Sequence, residues 1–348
     1  MRAWALTPPP VHWHLGVMST PTSLVDPFGR AVSYLRISVT DRCDLRCVYC
    51  MSEDMTFLPK NELLSFEEIE RIAGAFVGMG TRKIRLTGGE PLVRKGIMEL
   101  IQTLGKMPVD ELTLTTNGTQ LERYAGELFD AGVRRINVSI DTLDAQEFAL
   151  VTRGGKLDQV LRGLAAAKEA GLKVKINTVA MSSLTRPTFE AMIAWCASEG
   201  FDQTFIEVMP MGDMGEEDRD KQFLPLTQLR DWMEEQFQVE DLAEKTGGPA
   251  RYMRLAETGQ KIGFISPLTR NFCEGCNRVR MTCTGMLYMC LGQDDHADLR
   301  AVVRNSNDPA VLEAAIREAI SRKPWGHEFY IAPGSAPAVS RHMSVTGG

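Results

Sequence analysis

Three cysteines, Cys43, Cys47 and Cys50, stand in the run Asp41-Arg-Cys-Asp-Leu-Arg-Cys-Val-Tyr-Cys50. Thiolates at this C-x3-C-x2-C density suit an iron–sulfur cluster. Such a cluster asks for four ligands and the run supplies three. An iron without a protein thiolate is open to chelation by a small molecule. Zinc is the rival reading, but zinc favours closed sets of four from paired knuckles or histidines. The nearest histidines, His12 and His14, lie far upstream. A disulfide framework belongs to small secreted domains and is disfavoured.

A second constellation follows in Phe272-Cys-Glu-Gly-Cys-Asn-Arg-Val-Arg280, with Cys283 and Cys290 beyond it. Four cysteines in one span also read as a zinc knuckle. Arg278 and Arg280 come directly after the C-x2-C pair, and guanidinium forks suit phosphate or carboxylate. A metal site flanked by Arg-x-Arg points to an anionic substrate held beside the metal. Cys196 sits in an apolar helical stretch and reads as core.

The elements that must position these residues alternate. Strands are expected at Ser33–Val39, Lys83–Thr87, Glu111–Thr116, Val133–Ile140, Val174–Ala180 and Thr204–Met209. Helical stretches such as Leu157–Ala170 and Thr188–Glu199 separate them. Ser65-Phe-Glu-Glu resembles a capping box, and Ile69, Ile72 and Phe76 recur at helical spacing. Repeated strand–helix units imply a parallel sheet with right-handed crossovers. Six units fall short of a closed eight-stranded barrel. The expected fold class is α/β, a partial (βα)6 TIM-like barrel with a C-terminal cluster-binding extension. The motifs lie at the C-terminal ends of strands, where barrel enzymes place their chemistry.

Residues 1–24 read as a flexible leader, 25–245 as the barrel, and 246–348 as the auxiliary-cluster and substrate domain. The boundary is set at Thr246-Gly-Gly-Pro249. A helix is expected from about Pro309 to Arg322, and an extended tail from Ile331 to Gly348. The chain of 348 residues carries a formal net charge of −6, which argues against nonspecific nucleic-acid binding. No apolar run is long enough to span a membrane. Cysteines clustered as ligands suit a reducing cytoplasm.

The cysteine run, with Tyr49 before its last member, resembles the cluster loop of the radical S-adenosylmethionine (SAM) superfamily. There the open iron chelates SAM, whose reductive cleavage yields a 5′-deoxyadenosyl radical. The pairing with a C-terminal C-x2-C-x13-C resembles the GTP 3′,8-cyclase family of molybdenum cofactor biosynthesis. Leu35-Arg-Ile-Ser-Val-Thr-Asp-Arg-Cys43, Arg85-Leu-Thr-Gly-Gly-Glu-Pro91, Thr115-Thr-Asn-Gly118, Asn137-Val-Ser-Ile-Asp141 and the terminal Gly347-Gly348 carry the likeness.

That resemblance implies two 4Fe-4S clusters, held by Cys43, Cys47 and Cys50 and by Cys273, Cys276 and Cys290, with Cys283 a bystander. It implies SAM contacts at Tyr49, Gly89, Ser139 and Met209. It implies GTP contacts at Arg36, Arg85, Thr116, Lys175, Arg278, Val279 and Arg280. Arg36, Arg85 and Lys175 stand on apolar strands, which independently suggests a positive interior facing an anion. Gly347 and Gly348 are implied to reach the active site. The implied reaction is radical cyclisation of GTP to (8S)-3′,8-cyclo-7,8-dihydroguanosine 5′-triphosphate. The implied partners are an electron donor and cyclic pyranopterin monophosphate synthase; monomer and homodimer both stay open. Thr204 departs from the pattern, since many relatives carry arginine there. Peptide-modifying radical SAM maturases are the alternative class, although they usually carry more auxiliary cysteines. An iron–sulfur electron carrier and a zinc scaffold are non-enzymatic alternatives.

Overall fold

The alternation in the sequence becomes a parallel sheet backed by helices. The computed structural model describes residues 23–212, 222–243, 247–330 and 337–347. Strands β1 (Tyr34–Ser38), β2 (Lys83–Thr87), β3 (Glu111–Thr116), β4 (Arg135–Ser139), β5 (Lys173–Ala180) and β6 (Asp202–Glu207) pair in that order, all parallel. The sixth begins and ends two residues earlier than expected. Helices α1 (Phe66–Gly78), α2 (Ile97–Leu104), α3 (Leu121–Asp130), α4 (Ala145–Thr152), α5 (Leu157–Glu169) and α6 (Arg186–Glu199) form the crossovers.

The first helix shows how local sequence fixes an element. Ser65 Oγ accepts from the Glu68 N–H at 3.2 Å, and the Glu68 carboxylate accepts from the Ser65 N–H at 2.7 Å. That reciprocal cap contributes about 1 kcal/mol. Ile69, Ile72 and Phe76 then form one buried stripe.

The six-unit partial barrel is present, and the C-terminal part widens it at both edges. After α7 (Leu226–Gln236), strands β7 (Val239–Leu242), β8 (Arg251–Leu255) and β9 (Lys261–Ile265) form a meander, and β9 runs parallel to β6. On the far side β10 (Arg278–Met281) runs parallel to β1, followed by β11 (Met286–Tyr288) and β12 (His296–Asp298). The sheet stays open, with β12 and β7 at its ends. Helices α8 (Leu299–Asn305) and α9 (Pro309–Ser321) complete this side. The tail, expected to be extended, makes a short helical turn, α10 (Met343–Thr346).

The strands alternate strictly. Leu35, Ile37, Ile84, Leu86, Ile136, Val138, Val174, Ile176 and Val279 join the core beneath the helices. Their neighbours Arg36, Arg85, Asn137, Lys175, Asn177 and Arg278 face the interior of the barrel. Closed barrels usually fill that interior with branched apolar side chains. Here it is polar, and the period of two in the strands places every cation on the same side.

The expected leader lies outside the described residues except for its last two. Leu24 is buried, and its N–H donates to the Met79 carbonyl. Among the described residues no helix is long and apolar enough to cross a membrane.

Candidate active site

The loop after β1 carries Cys43, Cys47 and Cys50 into a central cavity of about 1300 Å³, its open mouth included. The turn after β2 holds that loop down. The Gly89 N–H donates to the Thr40 carbonyl and the Glu90 N–H to the Arg42 carbonyl, both at 2.8 Å. A Cβ on Gly89 would lie 2.6 Å from the Arg42 carbonyl carbon, and Gly88 sits at φ +147° against Thr40. These glycines are therefore demanded by backbone-on-backbone packing, whatever ligand also approaches them. Asn117 Nδ2 donates to Cys43 Sγ at 3.7 Å and to Asp44 at 2.7 Å, tying the loop to the end of β3.

Burial pushes the Cys43 thiol up to about 11 and the Cys50 thiol up to about 12. Cys47 also rises, through burial and then the neighbouring Cys50. Among the described residues no three His, Cys, Asp or Glu side chains close around a single metal ion. Cys43, Cys47 and Cys50 share one cavity, and cysteine thiolates are the ligands an iron–sulfur cluster takes.

Tyr49, Gly89, Ser139 and Met209 line the same cavity. The Tyr49 hydroxyl donates to Asp141 at 2.8 Å, and Asp141 also accepts from the Val179 N–H. Burial raises Asp141 to about 6 despite those donors. Glu90 is fully buried and raised by burial to about 7, against donors at Asn117, Leu92 and Thr116. Thr116 thus gives its hydroxyl to Glu90 and accepts the Gly118 N–H with the same oxygen. Glu207 accepts from the N–H groups of Leu226, Leu268 and Thr269, pinning two loops beside the cavity.

The inner wall is basic. Register places Arg36 beside Arg85 on β2 and beside Arg280 on β10. Burial, then the charge of Arg280, drives Arg36 well below the usual guanidinium range. Burial, then Arg278, lowers Arg280 to about 10. Lys175 is lowered to about 8 by burial and then by Arg135, and its ammonium donates to the Tyr252 hydroxyl at 2.7 Å. Among the described residues the buried Nε atoms of Arg85, Arg278 and Arg280 have no hydrogen-bond partner. Val279, between two of these arginines, points its side chain into the core, so no side-chain contact with a substrate is open to it.

Sequence reasoning did not single out Tyr34, Lys83, Arg135, Asn137, Asn177 or Tyr252, which line the same basic wall. Strand alternation was the available signal for Lys83, two residues before Arg85, and for Arg135 and Asn137. Lys83 and Arg135 both pair with Glu111. Thr204 also lines this wall, its buried hydroxyl without a partner among the described residues.

Cys273, Cys276 and Cys290 line an adjoining cavity of about 480 Å³ that shares Met209, Arg278 and Arg280 with the central one. Burial alone raises a thiol, but Arg278 and then Lys323 outweigh it and bring Cys276 down to about 7. Cys283 is absent from that lining and lies fully buried, its thiol pushed up to about 12. Cys196 is core, on α6. Arg30 donates to the carbonyls of Cys273, Pro324 and Trp325 and pairs with Asp26, fastening this site to the start of the described chain. Sequence reasoning missed Arg30 and Lys323 as well.

The tail returns to the centre. Arg341 donates to the carbonyls of Leu291 and Gln293 at 2.8 Å and packs 3.9 Å over the Tyr288 ring. Gly347 lines the cavity beside Thr87. Gly348 lies outside the described residues.

Residues 37–196 match the Radical SAM superfamily model, and residues 201–329 match Molybdenum Cofactor Synthesis C. The chain is 59% identical over 343 residues to a GTP 3′,8-cyclase of Paracoccus denitrificans (strain Pd 1222), covering 97% of this chain and 100% of that one. A GTP 3′,8-cyclase of Rhizobium etli is 58% identical over 329 residues, 93% of this chain and 94% of the relative. The fold is shared with Streptococcus suis SuiB bound to S-adenosylmethionine, at TM-score 0.58 and 15% identity over 90% of this chain and 77% of that one. The chain belongs to the GTP 3′,8-cyclase family, within the radical SAM superfamily.

Proposed function

We propose that the central cavity runs one reaction between its two cysteine sites, with the basic wall holding the substrate in between. As a GTP 3′,8-cyclase, the protein uses SAM and two 4Fe-4S clusters to cyclise GTP, the first step of molybdenum cofactor biosynthesis. Cys43, Cys47 and Cys50 hold the first cluster, and Tyr49, Gly89, Ser139 and Met209 cradle SAM. When bound, that pair supplies the radical that takes hydrogen from C3′ of the ribose. Cys273, Cys276 and Cys290 would hold the second cluster, in the adjoining cavity.

The chain's own residues bind, orient and exclude water. Arg36, Arg85 and Lys175 take the triphosphate, and Arg278 and Arg280 hold the substrate across the passage between the cysteine sites. Buried guanidiniums bind phosphate oxygens far more strongly than exposed ones, because little water competes. Fixing GTP between the two sites keeps C3′ and C8 in one reactive geometry. Thr116 acts through Glu90, and Gly347 closes the cavity beside Thr87. An external electron donor would supply the reducing equivalent in the cytoplasm. The product passes to cyclic pyranopterin monophosphate synthase. One chain builds the whole cavity, which suits a monomer or a homodimer.

The observation that carries this reading is the alignment of Arg280, Arg36 and Arg85 across three adjacent strands, with Arg280 shared between the linings of the two cysteine cavities. A peptide-modifying maturase has no use for so dense an anion site. The test is anaerobic turnover of the reconstituted enzyme with SAM, GTP and a reductant. Formation of 5′-deoxyadenosine with a cyclised nucleotide supports the reading. Cleavage of SAM with GTP unchanged overturns it.

A further inference from the structure

Lys323 is a buried lysine for which neither the fold nor the basic wall accounts. It follows the last turn of α9 and is 2% exposed. Its ammonium donates to Cys276 Sγ at 3.6 Å and to the Met289 carbonyl at 3.0 Å. Among the described residues no carboxylate pairs with it. A lysine buried this deeply is rare unless something anionic compensates it. The protein atoms around Nζ offer a carbonyl dipole and a sulfur.

The surrounding chain is built to keep it there. The Lys323 N–H donates to the Ile320 carbonyl at 3.0 Å, closing the helix end. The next two carbonyls, of Pro324 and Trp325, are gripped by Arg30. Gly326 packs on Cys273, where a Cβ would come within 3.0 Å of that residue's own Cβ. The segment therefore presents one cation to the cysteine site, whose lining also holds Arg278 and Arg280.

We propose that Lys323 is a positioning residue for the second cluster, which it holds less negatively charged and more readily reduced through a charge-assisted N–H···S bond to Cys276. This rests on the assignment of the second cluster to Cys273, Cys276 and Cys290. Hydrogen bonds to the sulfurs and net local charge are two established controls on cluster potential. A cation here also moderates the repulsion between an anionic cluster and an anionic nucleotide brought against it.

The test is an EPR-monitored redox titration of both clusters in reconstituted full-length protein, without SAM or GTP. Lys323→Met removes charge and donor, Lys323→Gln removes only the charge, and Lys323→Arg keeps both. The expected result is that Lys323→Met makes reduction of the second cluster about tenfold less favourable, a shift of about 59 mV for one electron. Lys323→Gln falls between, Lys323→Arg stays near wild type, and the first cluster does not move.

Equal second-cluster potentials in wild type and Lys323→Met, at equal iron and sulfide content, overturn the proposal. So does a parallel shift of both clusters. Loss of the second cluster in both Lys323→Met and Lys323→Gln also overturns it, in favour of a role in assembly. Wild-type protein that takes up only one cluster's worth of iron refutes the underlying assignment instead.

Discussion

Gly347 lies directly on Thr87, so close that any Cβ on the glycine would overlap the threonine side chain. The tail thereby meets the end of β2, one residue before the glycine turn that holds the first cysteine loop. Gly347 also stands at φ +75°, where a side chain is strained. Gly347→Ala is expected to lower cyclisation by about 10²-fold through displacement of the tail. Iron content and SAM binding stay at wild-type levels. Wild-type turnover in this variant would refute the placement, and anaerobic product analysis reads it directly.

Lys175 gives a pH signature. Burial, then Arg135, depresses its folded-state value to about 8, against an ordinary value of 10.5. The unfolded chain holds the proton to higher pH, so between about 8 and 10.5 unfolded protein binds more protons and stability rises with pH. Below about 8 the cost of burying the charge is fully present. GTP needs the charged form, so affinity falls as pH rises through about 8, by up to about tenfold per unit for one proton. Lys175→Arg abolishes that fall. Calorimetric binding from neutral to alkaline pH checks it, and a flat wild-type profile sinks the assignment.

Arg280 sets stability against function. It is buried beside Arg278, and among the described residues its Nε has no partner. Arg280→Met is expected to stabilise the nucleotide-free protein by about 1–3 kcal/mol, as when other buried charges give way to apolar groups of similar size. The same change weakens GTP binding by about 2–5 kcal/mol. Urea unfolding and nucleotide titration measure the two effects. A destabilised variant with intact GTP affinity would show that the guanidinium serves the fold.

Arg30 clamps the second cysteine site from the other end of the sequence, with Asp26 as its ion-pair partner at 2.6 Å. Arg30→Met leaves Asp26 buried without its counter-charge, held only by the Phe28 and residue-30 N–H groups, and is expected to cost about 3–5 kcal/mol. Iron loading falls at the second site and holds at the first. Adding Asp26→Asn restores part of the stability and none of the loading. Unfolding curves and iron analysis separate these outcomes; equal loss at both sites counts against the clamp.

Much of the frame was legible in the sequence. β2 and β3 run as expected, and the cysteine loop, the glycine turn and the Asn117-Gly118 turn sit at strand ends around one cavity, as barrel logic requires. What was illegible depends on distant pairing. Nothing local in Lys261–Ile265 or Arg278–Met281 announces that they flank β6 and β1, because parallel partners far apart in the chain leave no shared motif. Tyr252 reaches Lys175 only once that meander has formed. The short turn at Met343–Thr346 was hidden in a composition typical of loose ends. Gly89 was legible as a close approach, but the approaching group in the fold is the backbone of Asp41 and Arg42, which only the folded loop reveals.

The two cysteine sites are closed crosswise. Arg30, early in the chain, grips the Cys273 carbonyl, while the backbone of Ser344, late in the chain, hydrogen-bonds the Cys50 thiol. On the ribosome, the first cysteine loop emerges long before its closing strand of tail, and Arg30 waits for a site not yet translated. Each cysteine site is completed by a residue far away in sequence. A chain cut short before Ser344 therefore lacks a contact that its first cysteine loop uses, however complete the strands around that loop are.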